Sequence, residues 1–301
     1  MGIVNASEMI AQAHAQGYAV AHFNTNNLEW TQAILRAAES QKAPVIIAAS
    51  MGAIKYIGGT KMVADMVRDL YESMAITVPV AIHLDHGNLE MAYQAMNDGF
   101  TSVMFDGSDL PFEENLRETK ALVAKAAELG VSVEAEVGSI GGVEDGIVGL
   151  GEIADKQQVV EMANTGIDML AAGIGNIHGA YPEDFAGLDL GALTDFEAAT
   201  RHEMPFVLHG ASGLPEDEIQ TAITLGVAKI NINSQLQWAF HNALRDFIVA
   251  DRDLEGTNYD PRKLLRSGVD AAQQAAEEMI QMLGSANKAQ VTLTKEQCQF
   301  L

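Results

Sequence analysis

Apolar positions along this chain alternate between two rhythms. Short β-rich runs fall at Tyr18–Phe23, Pro44–Ser50, Val78–Asp85, Ser102–Asp106, Val131–Val137, Met169–Gly175, Phe206–His209 and Val227–Ile232. Between them lie longer stretches such as Leu28–Gln41, Phe112–Leu129 and Pro215–Leu225, whose apolar residues recur at helical spacing. Pro44, Pro79 and Pro205 mark strand starts, and Gly99, Gly130, Gly166 and Gly226 stand where helices close. Eight strands, each followed by a helix, predict an α/β fold of the closed (β/α)8 (TIM) barrel type rather than an open sheet. No linker, low-complexity tract or composition break interrupts the pattern, so residues 1–301 read as a single domain. Pro261–Leu283 adds one more long helix before a polar tail.

Ser139–Ala154 breaks the rule of short connections. It holds five glycines in the run SIGGVEDGIVGLGEIA, and a loop this long in a barrel usually serves function rather than connection.

Charge narrows the field of partners. A net charge of −23 argues against nucleic acid or an anionic membrane as partner. The same acidity repels anionic substrates, so any phosphate site must be a local exception. A single cysteine, Cys298, excludes an internal disulfide framework and suits a reducing cytoplasm. No apolar run reaches the roughly 18 residues of a membrane span, and the N-terminus lacks a signal-peptide pattern.

In a barrel the C-terminal ends of the strands converge on one mouth, where catalytic groups gather. Strand three ends His83-Leu84-Asp85-His86-Gly87, strand six runs into Asn176-Ile177-His178-Gly179, and strand seven ends Leu208-His209-Gly210. Taken singly, each histidine is as readily a packed core or rim residue. Three at one mouth, each before a glycine, point to a catalytic metal site with an open fourth position. His14, His22, His202 and His241 have no such setting. His83 shares a face with Asp85 by strand alternation and reads as packed beneath the site.

Carboxylates join the cluster. Asp106 ends strand four, and Glu134 and Glu136 share one face of strand five, so at least one of the three binds cation or orients a ligand histidine. A buried ion pair between Glu134 and Lys229 is an equal reading. Asp85 directly precedes a proposed ligand and is placed for acid–base work. For phosphate, Gly210-Ala211-Ser212-Gly213 ahead of a Pro215-started helix offers backbone N–H groups, and Asn231-Ile232-Asn233-Ser234 supplies the other half of the usual barrel phosphate position.

At this point the chain resembles a known family, the class II fructose/tagatose-bisphosphate aldolases, over nearly its whole length. The resemblance rests on AHFNTNN, AIHLDHG, SVMFDGSDLPFEEN, VEAEVGSIGGVEDG, GIGNIHGAYP, VLHGASGLP, KININ and YDPRKLL, in order and at the expected strand ends. It implies reversible cleavage of fructose 1,6-bisphosphate to dihydroxyacetone phosphate and glyceraldehyde 3-phosphate, with tagatose 1,6-bisphosphate as the runner-up substrate. It implies Zn2+ on His86, His178 and His209, and a second or alternative divalent position at Asp106 and Glu136. By the same resemblance Asp85 handles the C4 hydroxyl proton, and Glu144, on the glycine-rich loop, the carbon proton beside the ketone. Gly179, Gly210, Ala211, Ser212, Asn231, Ile232, Asn233 and Ser234 match the dihydroxyacetone phosphate site, with a monovalent cation (Na+ or K+) near the glycines. Asn24 and Ser50 match contacts to the aldehyde half. Arg262 matches a residue that reaches the distal phosphate, in relatives from the neighbouring subunit, so a homodimer or homotetramer is implied.

Three positions depart from the commonest family pattern. LHGGSG reads LHGASG here, as in tagatose-type relatives; AFN reads His22-Phe23-Asn24; and a frequent threonine after strand eight is Ser234. None removes a catalytic group. A Schiff-base aldolase using Lys229 would leave the three histidines unexplained. A non-catalytic phosphate-binding barrel would not need Asp85, Glu144 and three metal histidines together.

Overall fold

The computed structural model describes residues 2–144, 147–149, 151–182 and 184–289, with 143, 144 and 147–149 described by backbone alone. Asp145 and Cys298 therefore lie outside the described residues, as does the side chain of Glu144. The strands are β1 (Val20–Asn24), β2 (Val45–Ser50), β3 (Val80–Gly87), β4 (Ser102–Phe105), β5 (Ser132–Val137), β6 (Gly141–Glu144), β7 (Ile147–Gly149), β8 (Met169–Ala172), β9 (Ile177–His178), β10 (Phe206–Leu208) and β11 (Val227–Ile232). Eight of them close in the order β1-β11-β10-β8-β5-β4-β3-β2, and every neighbouring pair is parallel. This is the (β/α)8 barrel that the alternating pattern predicts.

The helices are α1 (Ser7–Gln16), α2 (Leu28–Gln41), α3 (Met51–Ile57), α4 (Thr60–Ser73), α5 (Leu89–Asn97), α6 (Phe112–Leu129), α7 (Lys156–Ala163), α8 (Leu190–Ala199), α9 (Glu216–Thr224), α10 (Ser234–Val249), α11 (Pro261–Leu264) and α12 (Arg266–Met282). Side-chain oxygens of Asn27, Ser50, Asn88 and Asp155 accept from first-turn amides and fix where α2, α3, α5 and α7 begin. None of the helices among the described residues is long and apolar enough to cross a membrane.

Strand alternation sorts the barrel interior into layers. The lower layer is apolar. Val20, Ile46, Ala81, Met104, Met169 and Val207 pack with Met9, Ile10 and Ala13 of α1, which plugs the N-terminal end of the barrel. Above it the interior turns polar: His22 and His83, two residues on from Val20 and Ala81, together with Glu134 of β5 and Lys229 of β11, are all completely buried. The final long helix expected over Pro261–Leu283 is two helices, α11 and α12, meeting at Leu265.

The stretch Ser139–Ala154, expected as an open loop, contains a β-hairpin. β6 pairs antiparallel with β7, and on its other side β6 pairs parallel with β9 through Gly141–Ile177 and Gly142–His178. The pairing is non-local and only two residues long on β9, so no local sequence pattern announces it.

Candidate active site and metal centre

The three histidines named from the sequence converge. The ring centroids of His86, His178 and His209 lie 4.7 to 5.8 Å apart, and each offers one donor atom within 4.8 Å of the others. His86 reaches this position through an irregularity in β3. Strand alternation would turn it away from the mouth, opposite Asp85, but its φ is 47° and the β3–β4 register shifts between Leu84 and Gly87. A left-handed residue in a strand re-aims the side chain, so successive residues Asp85 and His86 both serve the site. Gly210, after His209, has φ 69° and runs so close to the β9 segment that a Cβ there would lie 2.0 Å from the Ile177 carbonyl oxygen. Only glycine lets strand-seven and strand-six ends approach this closely.

On two of the three rings a carboxylate at the outer nitrogen sets the inner one. His86 Nδ1 lies 2.8 Å from Asp106 Oδ2, and His209 Nε2 lies 2.8 Å from Glu134 Oε1. The carboxylates accept the outer N–H groups and thereby assign the tautomers. His86 Nε2 and His209 Nδ1 are left as acceptors, 3.0 Å apart. His209 is neutral at pH 7, because burial brings its pKa down to about 4 against the opposing pull of Glu134. Two imidazole lone pairs facing at this distance repel unless positive charge lies between them. The donor set thus fits a divalent cation, with three nitrogens as in catalytic zinc sites.

The carboxylates have distinct environments. Burial disfavours charge on Asp106, but His86 and two hydrogen bonds from Ser108 outweigh it and bring the carboxyl down to about 2. Glu136 is pushed the other way, well above the usual range, by burial and then by the negative charge of Asp106. His86, Asp106 and Glu136 form a second group whose donor atoms lie within 4.8 Å of one another. Glu134 answers both sequence readings at once: Oε1 meets His209, and Oε2 forms a 2.8 Å ion pair with Lys229. Burial opposes its charge, but Lys229 and His209 hold it well below the ordinary range.

Asp85 is 1% exposed, and both of its oxygens are engaged. Asn24 Nδ2 donates to Oδ2 at 2.7 Å, and Asn231 Nδ2 donates to Oδ1 at 3.1 Å. Burial alone would raise this carboxyl; the surrounding imidazoles of His22, His86 and His209 keep it well below the usual range. It is an ionised, oriented carboxylate.

A cavity of about 240 Å³ opens above these groups, lined by Asn24, Asp85, His178, Gly179, Gly210, Ser212, Asn231, Asn233, Ser234 and Gln237. Among these lining residues none is Lys or Arg. The start of α10 faces the cavity through Asn233, Ser234 and Gln237, the end of a helix that attracts anions. Ser50, Ala211 and Ile232 are buried and lie outside the lining. Ser50 caps α3 and pairs in register with Asp85. Arg262 stands on α11, paired with Asp260, and lines a separate groove with Arg36 and Arg266.

Four contributors went unassigned in the sequence. His22 Nε2 sits 3.1 Å from Asn24 Oδ1 and 3.6 Å from Asp85 Oδ2, and the two-residue step from Asn24 was the signal for it. Tyr181 donates from its hydroxyl to the Gly210 carbonyl and accepts from Ile177 N, and Asn176 Nδ2 donates to the His209 carbonyl. Gln237, one helical turn beyond Ser234, could have been found from that spacing. His83 is buried beneath the site as expected, bonded to Ser102. Lys229, the Schiff-base alternative, is completely buried, ion-paired and absent from the cavity lining.

The comparisons agree with this geometry. Residues 4–288 match the family described as "Fructose-bisphosphate aldolase class-II". A fructose-bisphosphate aldolase of Streptococcus pyogenes serotype M3 is 55% identical over 294 residues, spanning 96% of this chain and 100% of the relative. That of Mycoplasma pneumoniae is 47% identical, spanning 95% and 100%. Among solved structures, the YdjI aldolase of Escherichia coli K12 superposes with a TM-score of 0.81 at 33% identity, over 96% of this chain and 100% of that one. The fructose-bisphosphate aldolase of Campylobacter jejuni gives 0.81 at 28% identity, over 95% and 97%. Strand-end histidines, their carboxylate partners and near full-length similarity converge: the chain belongs to the class II fructose-bisphosphate aldolase family.

Proposed function

We propose that this chain cleaves fructose 1,6-bisphosphate reversibly to dihydroxyacetone phosphate and glyceraldehyde 3-phosphate, using a zinc ion held by His86, His178 and His209. The observation that carries the reading is the facing pair of acceptor nitrogens on His86 and His209, 3.0 Å apart and next to an ionised Asp85. A zinc ion bound there supplies Lewis acidity to the substrate ketone.

The chain's own groups do the rest. Asp85 takes the proton from the C4 hydroxyl as the C3–C4 bond breaks, and the C4 carbon leaves as the aldehyde. The electron pair remains on C3, which Glu144 protonates to give dihydroxyacetone phosphate; the reverse order makes the bond. Asn24 and Asn231 keep the Asp85 carboxylate aimed at the cavity. Backbone N–H groups of Gly179 and Gly210–Ser212, with Asn231–Ser234 at the start of α10, receive one phosphate, a sodium or potassium ion beside the glycines helping to balance its charge. Asp106 and Glu136 serve as a second divalent position.

Among the described residues the cavity lining offers no lysine or arginine for the second phosphate. This supports a homodimer or homotetramer in which Arg262 of a neighbouring copy completes the site; the single cysteine suits action in the cytoplasm. A sedimentation mass of one chain under assay conditions would overturn that assembly. The activity itself is tested by coupling dihydroxyacetone phosphate release to a reductase with fructose and tagatose 1,6-bisphosphate side by side. Faster turnover of the fructose substrate is expected. Preference for the tagatose epimer, or turnover of neither, would overturn the assignment.

A further inference from the structure

Lys229 is a completely buried cation on β11, a placement lysine rarely takes unless paired. Its ammonium lies 2.8 Å from Glu134 Oε2 and donates to Asn231 Oδ1 at 2.7 Å. Both partners lead up into the site. The second oxygen of Glu134 accepts from His209 Nε2, which leaves Nδ1 facing His86. Asn231, its oxygen held below by the lysine, must turn its amide nitrogen upward. There Nδ2 lies 3.1 Å from Asp85 Oδ1 and 3.1 Å from His209 Nδ1. A carboxamide is nearly symmetric in shape, so packing alone does not choose which end faces Asp85. Turned over, it would set its oxygen against a carboxylate oxygen and an imidazole lone pair.

We propose that Lys229 is a positioning residue that sets two parts of the site at once: the cation-binding nitrogen of His209 through Glu134, and the proton-handling carboxylate of Asp85 through Asn231. The role rests on the aldolase reading above, and it assigns the buried lysine work without an imine. The two arms read out separately. Zinc affinity reports the Glu134 arm. At saturating zinc, cleavage of fructose 1,6-bisphosphate needs Asp85, whereas solvent deuterium exchange into dihydroxyacetone phosphate touches only the carbon beside the ketone.

The test compares wild type, Lys229→Met, Glu134→Gln and the double variant Lys229→Met/Glu134→Gln. Zinc affinity is measured by competition with a chromophoric chelator, and both rates are taken at saturating zinc. Lys229→Met is expected to weaken zinc binding by about 10–100-fold, as loss of outer-shell support does. It should also lower cleavage relative to exchange by about tenfold or more, a share of the ~10²–10⁴ that positioned acid–base groups contribute. Glu134→Gln should weaken zinc alone and leave the cleavage-to-exchange ratio unchanged. If Lys229→Met fails to fold, the double variant carries the same prediction, because it removes the buried charges as a pair. Wild-type zinc affinity or a wild-type cleavage-to-exchange ratio in the lysine variants would overturn the two-armed role. A wild-type protein that neither binds zinc nor exchanges dihydroxyacetone phosphate would take down the functional reading as well.

Discussion

At the scale of single residues the site depends on how Asp85 and His86 share one strand end. Adjacent strand residues face opposite ways, and the left-handed backbone of His86 cancels that rule. The sequence made both residues candidates, since HLDHG ends a β-rich run. It could not show how both reach the mouth, because histidine carries no mark of a positive φ. The same holds for Lys229. Its parity with Asn231 was legible, but its two partners come from β5 and from its own strand and meet only in the closed barrel. If Asp85 is the base, Asp85→Asn should keep zinc affinity within about threefold, because Asp85 is not among the ligands. It should lower kcat for cleavage by roughly 10²–10⁴. An asparagine variant within tenfold of wild type would remove Asp85 from the chemistry.

At the scale of elements, the glycine-rich segment is tied to the proposed metal site. Gly142 on β6 has φ 91°, and a Cβ there would lie 2.0 Å from the His178 carbonyl oxygen. The hairpin carrying Glu144 therefore packs directly on the backbone of a proposed ligand. Gly142→Ala should lower both zinc affinity and activity, since a shift of about 1 Å in such a group costs on the order of 10²-fold. Unchanged zinc binding would show that His178 is placed independently of the hairpin. Far from the site, Glu39 near the end of α2 accepts from Thr77 N at 2.7 Å, Thr77 Oγ1 at 2.8 Å and Val78 N at 3.3 Å, clamping the approach to β3. Burial opposes ionisation there, but Lys42 and Thr77 outweigh it and hold the carboxyl below its ordinary value. A depressed carboxyl stabilises fully above the unfolded glutamate pKa, about 4.3, and loses that contribution as pH falls through the lower folded value. Glu39→Gln should thus cost about 1 kcal/mol at pH 7, with the gap closing in acid. A gap that widens below pH 4 in denaturant titrations would contradict the clamp. None of this was legible from the sequence, because the partners are 38 and 39 residues apart.

At the scale of the molecule, the barrel was readable because all eight closing strands are marked by β-rich runs between helical stretches. The plug α1 was not, since alanines and polar residues give its pattern little contrast and its burial arises only against the closed barrel floor. The net charge of −23 bears on this scale too. Like charges on one compact body repel, and salt screens them. The melting temperature should therefore rise between low salt and 1 M sodium chloride. A flat or falling trend would show that the acidic surface is already neutralised by its own ion pairs.

A metal on His86, His178 and His209 is the centre of the proposed cleavage. Its most direct test is fructose 1,6-bisphosphate cleavage before EDTA, after EDTA and after zinc is returned. Activity should be lost to the chelator and recovered with zinc. Activity indifferent to EDTA but abolished by borohydride in the presence of substrate would contradict it, and would place an imine on Lys229 instead.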